Sequence, residues 1–208
     1  MEIVGKRHDT LATPSEDYNG GAEKASLSFL ARVMSPSTLW PVNTSAPPSD
    51  WNANGEEIPF PPDTKTPAGY NWGGYGESWI RKKLQNEIFY LMPSSLQNSI
   101  KPVKKLSDRG RYFPDVLNET IDTLWLASAE ELGETRTFEL AAAGQGKTYP
   151  VYNNDESRIK EVRQIASAYR TRSSPRNDPH GYRYVGTGGS FSNRGASEPM
   201  HTSFGFCL

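Results

Sequence analysis

Eight prolines stand between residues 35 and 76, at Pro36, Pro41, Pro47, Pro48, Pro59, Pro61, Pro62 and Pro67. Proline lacks an N–H and has a fixed φ, so a segment this dense can lie neither in a helix nor in the interior of a sheet. The same stretch carries Trp40, Trp51, Trp72, Tyr70 and Tyr75, and disordered linkers seldom hold so many large aromatics. The expected state is an ordered long loop whose aromatics pack on a core or a partner. This segment divides the chain into three: residues 1–34 as an N-terminal arm or anchor, 35–76 as the Pro/Trp-rich loop or anchoring segment, and 77–208 as the folded domain. The arm is expected because its first 25 residues are rich in turn formers, such as Thr13-Pro14-Ser15 and Asn19-Gly20-Gly21, and lack an apolar period.

A chain of 208 residues has room for one domain with an appendage. Lys and Arg total 23 against 24 Asp and Glu, a net charge of −1. That excludes a generally cationic nucleic-acid coat, and nucleic acid is not an expected partner. The 18 glycines and 16 prolines argue for many turns and against a helical bundle. A single cysteine, Cys207, excludes an internal disulfide framework and a cysteine-based zinc cluster. No apolar run is long enough to span a bilayer, so membrane insertion is not expected. The N-terminus, Met1-Glu2-Ile3-Val4-Gly5-Lys6, has no apolar signal core. The chain is therefore expected to start in a cytoplasm and to leave a cell only by a non-secretory route, such as a released virus particle.

Periodicity places the elements of the third part. Ile80, Leu84, Ile88 and Leu91 form one stripe of a 3.6-residue period and predict a helix over 77–92, capped at Glu77 or Ser78 and stopped by Pro93. A second short helix is expected from Ser94 or Ser95 to about Ile100. Thr123–Ala127 reads as a buried strand feeding a helical turn, where Ser128 and Glu131 match a capping box and Gly133 a stop. A short helix over 155–162 is also expected. Further strands are expected at Leu27–Val33, 168–172, 182–185 and 203–208.

No motif predicts catalysis, and no cofactor or metal is expected. Gly144-Gln145-Gly146-Lys147-Thr148 imitates the end of a P-loop, but Ala141 stands where the motif needs glycine. Glu198-Pro199-Met200 imitates a sugar and calcium signature, with Met200 in place of the ligating amide. Glu130 and Glu131 read as a solvated helical turn. Basic and aromatic residues concentrate in the tail: Tyr169, Arg170, Arg172, Arg176, Tyr182, Arg183 and Arg194, with His180 and His201 among them. Arg and Tyr are the usual interface anchors, so these nine are the candidate ligand-binding residues. The loops over 174–203 are the expected recognition surface.

Three blocks in order resemble C-type lectin-like domains of phages, prophages and gut bacteria. They are Ser78-Trp79-Ile80-Arg81-Lys82-Lys83-Leu84-Gln85-Asn86-Glu87-Ile88-Phe89 followed by Leu96, Ile100, Pro102 and Val103; Leu124-Trp125-Leu126-Ala127-Ser128-Ala129-Glu130-Glu131-Leu132; and the tail from Tyr169-Arg170-Thr171-Arg172-Ser173 through Tyr182-Arg183-Tyr184-Val185 to Phe204-Gly205-Phe206-Cys207-Leu208. The resemblance covers about residues 70–208. Arg170 stands where the family often has Trp, and Ser174 separates Arg-Ser from Pro175. The resemblance implies an α+β fold with two helices on short twisted antiparallel strands and long irregular loops. It implies a bacteriophage virion surface protein, in a head decoration or fibre or a receptor-binding tail tip. Its expected partners are other virion proteins, further copies of itself, and a host-surface glycan or protein. The alternative is a stand-alone prophage or bacterial ligand-binding module, diversified by a retroelement.

Overall fold

The structure is a computed structural model that describes residues 1–15, 22–35, 39–40, 42 and 71–208. Most of the Pro/Trp-rich segment therefore lies outside the described residues. The strands are, in chain order, β1 Glu2–Lys6, β2 Thr10–Ser15, β3 Ala22–Lys24, β4 Leu27–Leu30, β5 Leu39–Trp40, β6 Val103–Asp108 and β7 Leu117–Asp122. They continue as β8 Trp125–Leu126, β9 Glu161–Val162, β10 Ile165–Ala166, β11 Tyr169–Arg170, β12 Gly181–Val185, β13 Phe191–Gly195, β14 Met200–His201 and β15 Phe204–Cys207. The helices are α1 Gly74–Glu77, α2 Trp79–Lys83, α3 Ser94–Ser99 and α4 Asp155–Arg158.

One four-stranded sheet, β1-β4-β15-β8, ties the two ends of the chain together. A second, β3-β2-β6-β7, carries the long hairpin β6–β7. A five-stranded sheet, β13-β12-β11-β14-β5, holds the tail, and β9–β10 form a two-stranded hairpin. Strand neighbours point to opposite faces, so the first sheet separates two cores. Trp125, Cys207 and Leu30 join Val4, Leu11, Leu132, Tyr149 and Val185 on one side. Leu126 and Phe206 join Tyr75, Ile80, Leu84 and Tyr182 on the other. At the crossing a glycine is required: a Cβ on Gly205 would lie 2.4 Å from the Phe29 carbonyl and 2.6 Å from the Trp125 ring.

The expected two-helix α+β fold of the C-type lectin-like kind is not what forms. Sheets dominate the described residues, and the helices are short. The difference has a physical source. The N-terminal segment expected as an arm supplies β1 to β4, with Val4, Leu11 and Ala25 buried. Strand β6 turns Val103, Lys105 and Ser107 inward, an alternation hidden by a lysine and a serine on the buried face. Strand β13 is polar because Ser192, Asn193 and Arg194 are exposed on a sheet edge.

The helix expected over 77–92 is broken up. Ser78 has extended backbone, and its hydroxyl accepts from the Arg81 N–H at 3.3 Å, so it caps α2. The helix then widens into a π turn over Leu84–Ile88 and tightens into a 3₁₀ turn over Phe89–Leu91. A π turn inserts extra backbone and rotates the residues after it about the helix axis. Ile80 and Leu84 are buried as the stripe requires, while Leu91 is 80% exposed. The short helix α3 falls where it was expected. Asn154 caps α4 through a reciprocal pair with Ser157.

Candidate functional site

Strand β6 carries Lys105 into the first core, where its side chain is 1% exposed. Its ammonium donates to Asp9 Oδ1, to Glu131 Oε1 at 3.0 Å and to the Tyr149 hydroxyl at 2.9 Å. Those three bonds use all three ammonium protons. The Nζ also lies 3.7 Å from the centre of the Trp125 ring, a cation–π contact. Asp9 comes from the link between β1 and β2 and accepts further bonds from Ser28 Oγ and from Tyr149 Oη, the latter at 2.9 Å to Oδ2.

Glu131 completes the cluster from the other side. The expected capping box is formed: the Glu131 N–H donates to Ser128 Oγ, and Glu131 Oε2 accepts from the Ser128 N–H, both at 3.0 Å. The turn is not solvated, however, because Glu131 is buried. Its Oε2 accepts from Arg172 Nη1 at 2.6 Å, and Arg172 donates on to the carbonyls of Leu126, Leu106 and Gln145. Burial alone would raise both carboxyls. The Lys105 charge and its hydrogen bonds instead hold Asp9 well below the usual carboxylate range. Arg172 and Lys105 together hold Glu131 below its ordinary value. Burial, reinforced by the Asp9 charge, pushes the Cys207 thiol up to about 12.

A cleft of about 360 Å³ opens over this cluster. Asp9, Lys105 and Glu131 line its floor, with His8, Lys24, Lys104, Glu119 and the loop over 145–147 around it. His8 lies on the Tyr149 ring with centroids 4.2 Å apart. Lys104 pairs with Glu119 at 3.4 Å. The Lys24 ammonium donates to the His8 carbonyl at 2.9 Å, and Lys147 is exposed. The P-loop imitation forms part of this wall, but the Gly144 and Gln145 N–H groups donate to the Glu130 carboxylate. Those amides are held by an acidic side chain.

Next to the cluster lies a carboxyl with a different environment. Asp108 is fully buried. It accepts from the Ser174 N–H at 2.7 Å, the Gly110 N–H at 2.9 Å and Gln145 Nε2 at 3.0 Å. All three are neutral donors, and burial pushes the carboxyl up to about 6. Gly110 has φ +82°, and a Cβ there would lie 2.0 Å from the Asn71 carbonyl oxygen, so only glycine turns the chain back to offer that N–H.

The nine tail residues do not form one surface. Tyr169, Arg170, Arg172, Tyr182 and Arg183 are buried. Tyr169 donates to the Arg158 carbonyl at 2.9 Å. Arg170 donates to the carbonyls of Arg194 at 2.8 Å and Glu198 at 2.9 Å, and to that of Gly195. Arg183 donates to Asn193 at 2.9 Å and pairs with Glu134 and Glu139. Arg172 belongs to the Glu131 cluster. Arg176 lies farther out, paired with Asp115. Arg194 is exposed and pairs with Glu198 at 2.7 Å, which occupies the acidic residue of the calcium-signature imitation. His180 and His201 are half-buried, and burial lowers the His201 imidazole below its ordinary value. Tyr and Arg concentrate in the tail because the core there is held by ion pairs and hydrogen bonds.

Asp9, Lys105, Tyr149 and Asp108 carry no local sequence signal. They lie far apart in the chain: the pairing of β2 with β6 brings the Asp9 link beside Lys105, and the Tyr149 N–H donates to the Glu131 carbonyl. Residues 63–204 match the model of a family described as a domain of unknown function, DUF6273, and the chain belongs to that family. No curated protein and no solved structure matches it. No helix among the described residues is long and apolar enough to cross a membrane.

Proposed function

We propose that the chain is a non-enzymatic binding module that takes an anionic ligand, such as an acidic glycan, in the cleft over the Lys105 cluster. The observation that carries this reading is how the charges around that cleft are spent. The carboxylates of Asp9 and Glu131 are engaged from inside by Lys105 and Arg172, and Glu119 is engaged by Lys104. Lys24 and Lys147 stand at the rim, and among the described residues neither makes an ion pair. A concave wall with surplus positive charge concentrates anions. The floor side chains are held by hydrogen bonds among Asp9, Lys105, Tyr149, Glu131 and Arg172, which favours a preformed site.

A place for the module on the surface of a virus particle rests on the sequence resemblance of the three blocks to phage and prophage domains. Its partners there would be other particle proteins and a host-surface glycan. Two measurements test the two parts separately. Binding of immobilised heparin should weaken at least about tenfold in a Lys24→Glu, Lys147→Glu variant and fall with added salt. Unchanged binding rejects the cleft. Mass spectrometry of purified particles should find the chain at a fixed copy number, and its absence rejects the virion placement.

A further inference from the structure

We propose that Lys105 and Asp9 condense within the folded protein to an intramolecular isopeptide bond, with Glu131 relaying the protons. This goes beyond the binding reading and does not depend on it. The groups needed for such a reaction are all present. A lysine amine and an aspartate carboxyl are in direct contact, with side chains 1% and 4% exposed. A second carboxyl, 3% exposed, reaches the same amine from another direction at 3.0 Å. The Trp125 ring, 3.7 Å from the nitrogen, and the Tyr149 ring cover the amine on the side away from the cleft. Tyr149 Oη also donates to the Asp9 carboxylate, so it can support the oxyanion that builds up there.

The step balances within the chain. The reactive form is a minor state, because Arg172 and Lys105 hold Glu131 below its ordinary value: in it Glu131 Oε1, 3.0 Å away, has taken a proton from the Lys105 ammonium, which frees the nitrogen lone pair. Nζ attacks the Asp9 carboxyl carbon and forms a C–N bond. The tetrahedral centre collapses with loss of one carboxyl oxygen, which leaves as water. Both of that water's protons originate on the ammonium and pass through Glu131. An amide nitrogen with one hydrogen remains, Glu131 returns to its starting state, and nothing is oxidised or reduced. The electrostatics also close. One buried positive and one buried negative charge disappear together, and Glu131 keeps Arg172 as its counter-ion at 2.6 Å. Burying charges is costly even when they are paired, so removing both favours the amide. The water product has an exit, because Asp9, Lys105 and Glu131 all line the cleft.

The bond would join the β1–β2 link to β6, closing a long loop of chain in the manner of a disulfide. The experiment uses the whole chain, and its mass is measured under denaturing conditions. The wild type should be lighter than its sequence by one water. Proteolysis should release a branched peptide joining the Asp9 and Lys105 segments. Lys105→Arg and Glu131→Gln should each restore the full mass. A wild type at full sequence mass overturns the proposal, and this holds even where a variant does not fold. A water loss that maps to other residues also overturns it. Cross-linking that persists in Glu131→Gln overturns the relay.

Discussion

Arg170 and Arg172 are two residues apart, both buried, and satisfied in opposite ways. Arg172 meets the carboxylate of Glu131 and three carbonyls. Arg170, on the five-stranded sheet, donates only to carbonyl oxygens, those of Tyr182 in β12, Arg194 and Gly195 in β13, and Glu198 beyond it. The consequences differ in sign. Burial would lower both guanidiniums, but Glu131 more than offsets it for Arg172, which is raised. Nothing offsets it to the same degree for Arg170, which falls to about 10. Neutral dipoles offset part of the desolvation, and here only an opposite charge offsets all of it. Asp108 repeats the contrast for carboxyls: it meets neutral donors and rises to about 6, while Glu131 beside it meets two cations and falls.

The sharpest way to break this comparison is to remove each arginine in turn. Arg172→Met leaves the buried Glu131 carboxylate without the guanidinium that meets its Oε2 at 2.6 Å. Loss of one partner of a buried pair costs about 3–5 kcal/mol. Arg170→Met strips neutral carbonyls of a donor, an effect of about 1–3 kcal/mol. Chemical denaturation should therefore show the larger loss for Arg172→Met. The reverse order would mean that the number of hydrogen bonds, not the charge of the partner, decides.

The carboxyl half of the comparison is read by pH. Asp108 has a folded pKa of about 6, above its unfolded value of 3.8. The folded state therefore binds the extra proton, and the contribution of Asp108 to stability is present at low pH and lost as pH rises through about 6. At about 1.4 kcal/mol per unit, the loss approaches about 3 kcal/mol. Glu131 acts in the opposite sense. Its folded value lies below its unfolded one, so its contribution is complete above that unfolded value and fades as pH falls below it. The Asp108 loss runs from about pH 4 to just above 6, so unfolding free energy should decline between about pH 5 and 6, above the unfolded range of the other carboxyls, and Asp108→Asn should flatten that segment of the profile. A decline that survives the substitution would assign it to another group.

How much of the molecule is legible in the sequence depends on how local each feature is. The Ser78 cap, the Ser128–Glu131 capping box, α3 and the strands at 181–185 and 204–207 depend on neighbouring residues, and all were legible. The end of the long helix was not, because a π turn at Leu84–Ile88 is a choice between nearly equal hydrogen-bond patterns. Strand β6 was hidden because Lys105 stands where an apolar residue would signal the buried face. Its partners Asp9 and Glu131 come from 96 and 26 residues away along the chain. The tail's arginines were conspicuous by type, but type does not tell a buried ion pair from an exposed contact. Only the pairing of β11, β12 and β13 put Arg170 and Arg183 inside.

The smallest effect belongs to the pair that shares chemistry with the cluster and lacks its burial. Arg194 and Glu198 meet at 2.7 Å, nearly as close as Arg172 and Glu131, but both side chains are about half exposed, at 48% and 49%. Water already solvates each charge, and holding two long side chains together costs rotamer entropy. An exposed pair of this kind contributes roughly 0–1 kcal/mol. Arg194→Ala should thus lower stability by less than about 1 kcal/mol, with most of even that loss removed by salt that screens surface charge. Arg172→Met should keep most of its cost at the same salt concentration, because its partner Glu131 is only 3% exposed. Denaturation curves for both variants in low and high salt would show this. If Arg194→Ala costs as much as Arg172→Met, or if both effects vanish with salt, burial is not what separates the two pairs.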